Sequence, residues 1–198
     1  LEKKLNRNPG IIVSTLDFLL NVKENLVSPI IIEKEKSDFI TDTATKDELT
    51  HLYSRNVFDA FMEKSVAEYN RTGKTVALII FDIDDFKKVN DTYGHQKGDA
   101  VLANIGDLLN QEVREMDIAA RYGGEELVVI MNESNSQQAF TFSERVRNKI
   151  ARSPIDGINV TISAGISQTT PETKTVETVI SAADVALYEA KASGKNKS

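Results

Sequence analysis

The sequence predicts an α/β or α+β fold, with a mixed central sheet flanked by helices and preceded by a separate helical segment. Three observations carry this. The run Val76-Ala-Leu-Ile-Ile-Phe81 is continuously apolar, as a strand buried on both faces requires. Gly123-Gly124 lies between two apolar stretches, as in a β-hairpin. Between these strands, apolar residues recur at helical spacing, so the two element types alternate.

Residues 1–43 stand apart. Ile11, Ile12, Leu16, Leu19 and Leu20 mark an amphipathic helix. Ser28-Pro29 reads as an N-cap with proline at the first helical position, ahead of a second stripe of Ile30, Ile31, Ile32, Phe39 and Ile40. This segment is expected to be a helical stalk or the remnant of an upstream sensory domain. The chain opens on Leu1 rather than Met, as a fragment would. The main domain is expected over residues 44–198. Its strand from Val76 to Phe81 ends in acids. A helix follows with Val101, Leu102, Ile105, Leu108, Leu109 and Val113 on one face. Ile118 to Tyr122 and Leu127 to Met131 form the hairpin arms. Ala139, Phe142, Val146 and Ile150 give another helix, Val160 to Ile166 a strand, and Val176 to Ala190 a last helix.

Composition narrows the function classes. Of 198 residues, 40% are hydrophobic and 27% charged, the balance of an ordinary globular domain. A net charge of −6 argues against a general nucleic-acid surface, which needs clustered positive charge. No apolar run approaches a membrane span or a signal-peptide core. With no cysteine, disulfide and thiol chemistry are excluded.

Two acidic clusters carry the chemistry. Asp82-Ile83-Asp84 ends the apolar strand, where carboxylates repel each other unless a cation lies between them. Mg²⁺ suits the task, because it binds one or two carboxylates and keeps positions open for phosphate. The plainer alternative is a solvated strand end, or an N-cap supplied by Asp84 or Asp85. Gly123-Gly124-Glu125-Glu126 is the second cluster, and its plainer alternative is an exposed hairpin tip. If the hairpin lies beside the Asp82 strand, four carboxylates converge, as two-metal phosphoryl transfer requires. Cations for the phosphates are then sought among Lys87, Lys88, Arg121, Lys191, Lys195 and Lys197.

The spacing of these clusters resembles a known family. The run Asp82-Ile-Asp-Asp-Phe-Lys-Lys-Val-Asn-Asp-Thr-Tyr-Gly-His-Gln-Lys-Gly-Asp99 is similar to GGDEF-domain diguanylate cyclases. Arg121-Tyr-Gly-Gly-Glu-Glu-Leu127 resembles their signature turn. Asp47-Glu-Leu-Thr-His-Leu52 with Arg55 resembles their opening motif. Ala183-Asp-Val-Ala-Leu-Tyr-Glu-Ala-Lys191 and Gly194-Lys-Asn196 resemble their closing helix. The motifs fall in order across residues 44–198, and together they are far more specific than any one alone.

The resemblance implies a palm-like nucleotidyl cyclase fold that condenses two GTP into cyclic di-GMP with two Mg²⁺ per site, Mn²⁺ serving as a substitute. It implies that Asp82, the Ile83 carbonyl, Glu125 and Glu126 hold metal, and that Glu125 is the base. Lys87 would stabilise phosphate charge. Phe86, Gly123, Gly124, Lys191 and Lys195 would also meet the nucleotide, and Asn90 and Asp99 would read the guanine edge. It implies a cytoplasmic bacterial homodimer whose signal, cyclic di-GMP, acts as a second messenger. Arg114-Glu-Met-Asp117 resembles the family's inhibitory product site, with Arg145 as a second arm; its alternative is a helix end with an i,i+3 pair. Three positions depart from the pattern: Leu127 replaces Phe, His51 replaces Gly, and Lys195 stands where Arg is frequent.

Three rivals remain. A receptor that has lost catalysis should lack metal-site acids or Lys87, yet all are present. A polymerase-like transferase on nucleic acid conflicts with the acidic charge. A dimerisation module is compatible with the enzyme.

Overall fold

The computed structural model describes residues 45–198. The expected stalk, including the stripe at residues 11–40, lies outside the described residues. Nine elements follow in order: α1 (Arg55–Thr72), β1 (Val76–Ile83), α2 (Phe86–Tyr93), α3 (His95–Glu112), β2 (Ile118–Arg121), β3 (Glu126–Asn132), α4 (Ser136–Arg152), β4 (Ile162–Gln168) and α5 (Val176–Ala192). The fold is α+β.

The sheet order is β2-β3-β1-β4, and every strand pair is antiparallel. This corrects the expected mixed sheet. The alternation does send β1 and β2 the same way, and likewise β3 and β4. In each case a strand of opposite sense is inserted between them, so neither pair touches. Parallel pairing among the described residues is reduced to one isolated bridge, Tyr53 to Ala120.

Strand β1 is buried along its whole length because helices cover both faces of the sheet. Its side chains alternate between two cores. Ala77, Ile79, Phe81 and Ile83 join Val101, Leu102, Ile105, Leu109, Phe142 and Val146, from α3 and α4. Val76, Leu78 and Ile80 join Phe58, Met62, Val179, Ala183 and Leu187, from α1 and α5. Asp82 continues the second row, so period-two alternation aims it at the α5 side.

The buried stripes of α3 and α4 match the apolar spacing. Two capping boxes start helices: Asn135 with Gln138 on α4, and Thr175 with Thr178 on α5. The spacing analysis did not assign α1. Its signal is thin, Phe58, Met62, Ser65 and Val66, but it follows i, i+4, i+7, i+8. Among the described residues no helix is long and apolar enough to cross a membrane.

Candidate active site

The two acidic clusters meet. Asp82 on β1 and Glu126 on β3 are register partners, and Glu125 lies one residue earlier at the end of the hairpin turn. Asp82 is only 6% exposed. Burial raises its carboxyl above the ordinary range, and nearby Asp84 adds to the rise, although Lys191 opposes both. Lys191 Nζ on α5 sits 2.7 Å from Asp82 Oδ2. Glu125 is also raised, first by burial, then by the charge of Asp82 and, less, of Glu126. Each acid makes the next harder to ionise, the electrostatic condition that a bound cation relieves.

The expected convergence of four carboxylates is not met, and Asp84 is turned away from the others. Its Oδ1 accepts from Ser163 Oγ at 2.7 Å, and its Oδ2 accepts from Thr161 Oγ1 at 2.6 Å and the Asn196 amide at 2.9 Å. Asp85 is the N-cap residue of α2 by position, but it makes no side-chain cap. It pairs with Lys195 at 2.6 Å instead. Among the described residues no three carboxylates or imidazoles stand close enough to hold an ion unaided.

Arg121 builds the turn that carries these acids. Its Nε donates to the Gly123 carbonyl at 3.2 Å and its Nη2 to the Gly124 carbonyl at 2.8 Å. Its Nη1 meets both Asp47 oxygens at 3.2 and 3.1 Å. Although burial pushes the Asp47 carboxyl up, the Thr50 amide and hydroxyl and Arg121 outweigh it and hold the group below its usual range. Arg121 is thus a buttress of the hairpin and not a free cation. Asp47 and Arg121 lie 74 residues apart, so spacing alone did not reveal the link.

The other predicted residues separate into groups. Lys87 is exposed on α2, and among the described residues no carboxylate pairs with it. Lys197 Nζ is tied to the Ser193 carbonyl. The Phe86 side chain belongs to the core, so contact with a nucleotide there is left to its backbone. Asn90 packs on Gly98, beside exposed Asp99: a Cβ on Gly98 would fall 1.9 Å from Asn90 Oδ1. A Cβ on Gly123 would come within 2.5 Å of Glu126 Oε2, whereas Gly124 faces open space. A cavity of about 570 Å³ lies beside this site, lined by Asp84, Asp85, Lys88, Tyr93 and Lys195 but not by Asp82, Glu125 or Glu126.

The departures also find places. Leu127 is buried opposite Phe81, a packing role. His51 has φ 56°, the left-handed conformation that glycine adopts most readily, which explains a glycine at this position of the motif.

Arg114 and Asp117 do not share a helical face. Helix α3 ends at Glu112, and the pair closes a turn, with the Asp117 amide donating to the Arg114 carbonyl at 3.0 Å. Asp117 is 5% exposed, and its Oδ1 accepts from the Asn132 amide at 3.1 Å. Its Oδ2 is buried without a hydrogen-bond partner. Burial raises its carboxyl, although the Asn132 and Arg114 amides and the Arg114 charge oppose this. Arg145 pairs with Glu112 at 2.7 Å and lies over the Phe142 ring. Among the described residues no ion pair joins Arg114 to Asp117.

Comparisons with known proteins agree with this geometry. Residues 44–197 match the family described as "Diguanylate cyclase, GGDEF domain". Diguanylate cyclase A of Treponema denticola is 36% identical over 188 residues, which is 91% of this chain and 50% of that protein. Response regulator PleD of Caulobacter vibrioides is 39% identical over 165 residues, 80% of this chain and 36% of that protein. The chain therefore spans half or less of the length of these curated relatives. The solved GGDEF domain of DgcB from Caulobacter crescentus, in complex with c-di-GMP, superposes with a TM-score of 0.73 at 34% identity, over 78% of this chain and 94% of that one. A family match over residues 44–197, together with relatives of this identity, settles the lineage: this chain belongs to the GGDEF diguanylate cyclase family.

Proposed function

We propose that the chain is a diguanylate cyclase that condenses two GTP into cyclic di-GMP. Each 3′-hydroxyl attacks the α-phosphorus of the other nucleotide, forming two phosphodiester bonds and releasing two pyrophosphates. The observation that carries the reading is the pairing of Asp82 with Glu126 across two strands, with Glu125 beside them and Lys191 on Asp82. Asp82, the Ile83 carbonyl, Glu125 and Glu126 are the groups that would hold a divalent metal, Mg²⁺ by preference. When bound, such an ion polarises phosphate oxygens and eases deprotonation of a hydroxyl. Glu125 accepts the hydroxyl proton. Lys87, Lys191 and Lys195 balance phosphate charge, with the last two leaving their carboxylate partners to do so. Incubation with GTP and Mg²⁺ should yield cyclic di-GMP by mass spectrometry. No product under conditions where GTP is bound would leave the receptor reading in its place.

Asn90 and Asp99 read guanine in this scheme, because Asp99 accepts from its N1–H and N2 amino groups. Gly98 makes room for Asn90. The clash in Gly98→Ala is chiefly with the tip of a flexible side chain, so the fold survives while Asn90 rotates away. Alanine also gains up to about 1 kcal/mol of helix propensity. The expected result is an unchanged or higher Tm with a roughly tenfold higher KM for GTP, the scale of one lost hydrogen bond. An unchanged KM would remove Asn90 from base recognition.

A two-fold symmetric product requires two GTP sites face to face, which implies a C₂ homodimer. Product feedback is assigned to Arg114, Asp117 and Arg145. Exposed Arg114 beside the Asp117 carboxyl supplies paired donor and acceptor groups for a polar ligand at this turn. The turn leads into β2 and the metal-site hairpin, so a ligand there would bias the hairpin's position. Arg114→Ala should keep its initial rate but sustain turnover as product accumulates. Equal inhibition of both proteins by added cyclic di-GMP would eliminate this site.

A further inference from the structure

Asp84 shares the strand-end motif with Asp82 yet takes no part in the acidic cluster, and Asn196 closes the final motif without an assigned role. We infer that Asp84, Asn196 and Arg147 form a clasp that positions Lys195 for the nucleotide phosphates. This rests on the reading that Lys195 meets the triphosphate.

The clasp is built from buried and bidentate contacts. Asp84 is 7% exposed, and both its oxygens already receive donors: two hydroxyls from the start of β4 and its approach, and the Asn196 amide at 2.9 Å. Its own amide donates to the Thr161 carbonyl at 2.9 Å. It therefore ties the end of β1 and the start of β4 to the last loop. From the other side, Arg147 Nη1 on α4 donates to Asn196 Oδ1 at 2.7 Å. The guanidinium is held by Glu144 through two parallel bonds, both 2.7 Å, the planar fork geometry that lysine cannot reproduce. The Ala164 amide then donates to the Lys197 carbonyl at 2.7 Å, extending the β4 edge.

Between these anchors Lys195 and Asn196 adopt φ 61° and 51°, both left-handed. Asparagine tolerates this conformation, but lysine is strained there and holds it only when neighbours fix it. The result places the Lys195 ammonium over the β1–α2 turn, 2.6 Å from Asp85 Oδ1. A flexible lysine on a loose loop would lose conformational entropy on gripping phosphate. In a clasped one the backbone share of that entropy is already lost, which favours affinity and offsets the cost of leaving Asp85. Arg147 thus affects nucleotide binding without touching the nucleotide.

The test compares Arg147→Met, Lys195→Met and the double variant by calorimetric titration with GTPγS in MgCl₂, alongside Tm. Arg147→Met should bind about tenfold more weakly, as for loss of one charge-assisted contact. In the Lys195→Met background it should change affinity little, because its effect passes through Lys195. Asn196→Ala should mimic it. A lower Tm with unchanged affinity would show a structural clasp only and overturn the inference, as would losses that multiply in the double variant. Failure of the unmodified protein to bind GTPγS would overturn the parent reading, and this one with it.

Discussion

Glu125→Gln should abolish nearly all cyclic di-GMP formation while the protein stays folded. A positioned base contributes on the order of a 10²-fold rate or more, so the residual rate should fall at least that far. The raised carboxyl of Glu125 makes the variant informative about stability too. Its cause is burial first, then the charge of Asp82. The folded state therefore holds a proton more tightly than the unfolded chain does. The stability this contributes is complete below the unfolded pKa and declines as pH rises through the raised one. At neutral pH the ionised carboxylate thus costs stability, and a neutral amide removes that cost. In metal-free buffer Glu125→Gln is expected to melt at or above the wild-type Tm at pH 7, with a smaller advantage in acid. Wild-type turnover in the variant would exclude Glu125 as the base, and a collapsed Tm would exclude the electrostatic account.

Gly165→Ala should destabilise the domain by about 3 kcal/mol, roughly 6–12 °C in Tm for a domain of this size. Gly165 lies in β4, beneath α5. A Cβ there would fall 2.0 Å from the Ala183 carbonyl oxygen and 2.4 Å from the Leu187 amide nitrogen. Both are backbone atoms, so relief requires moving the helix itself. Because α5 carries Lys191, the displacement would also pull that ammonium from Asp82. Gly124→Ala is the control, since a Cβ there meets nothing within 4 Å. Thermal melts of the two variants should diverge, and equal Tm values would show that α5 shifts at little cost. The contrast also bears on the signature turn: Gly124 is not required by its own fold, which is consistent with a ligand needing the space.

The sequence was sufficient to determine the parts that depend on local order along the chain. Period-two and helical spacing identified β1, the hairpin and the buried faces of α3 and α4, because burial imposes those periods on any strand or helix. Motif order sufficed for the family and for Asp82, Glu125 and Glu126 as the acids to examine. Tertiary structure alone decided what each polar group does. Asp82 and Asp84 have the same residue type and stand two positions apart, yet the first meets Lys191 from α5 and the second meets the donors of Ser163, Thr161 and Asn196. Asp47 and Arg121 became one buttress only when chain segments 74 residues apart came together. The antiparallel sheet likewise followed from strand insertion, and Arg114 with Asp117 left the helix because α3 ends at Glu112. The physical reason is common to all four. Periodicity reports whether a side chain is buried, but a charged or hydrogen-bonding group is defined by its partner, and partners are supplied by contacts remote in sequence.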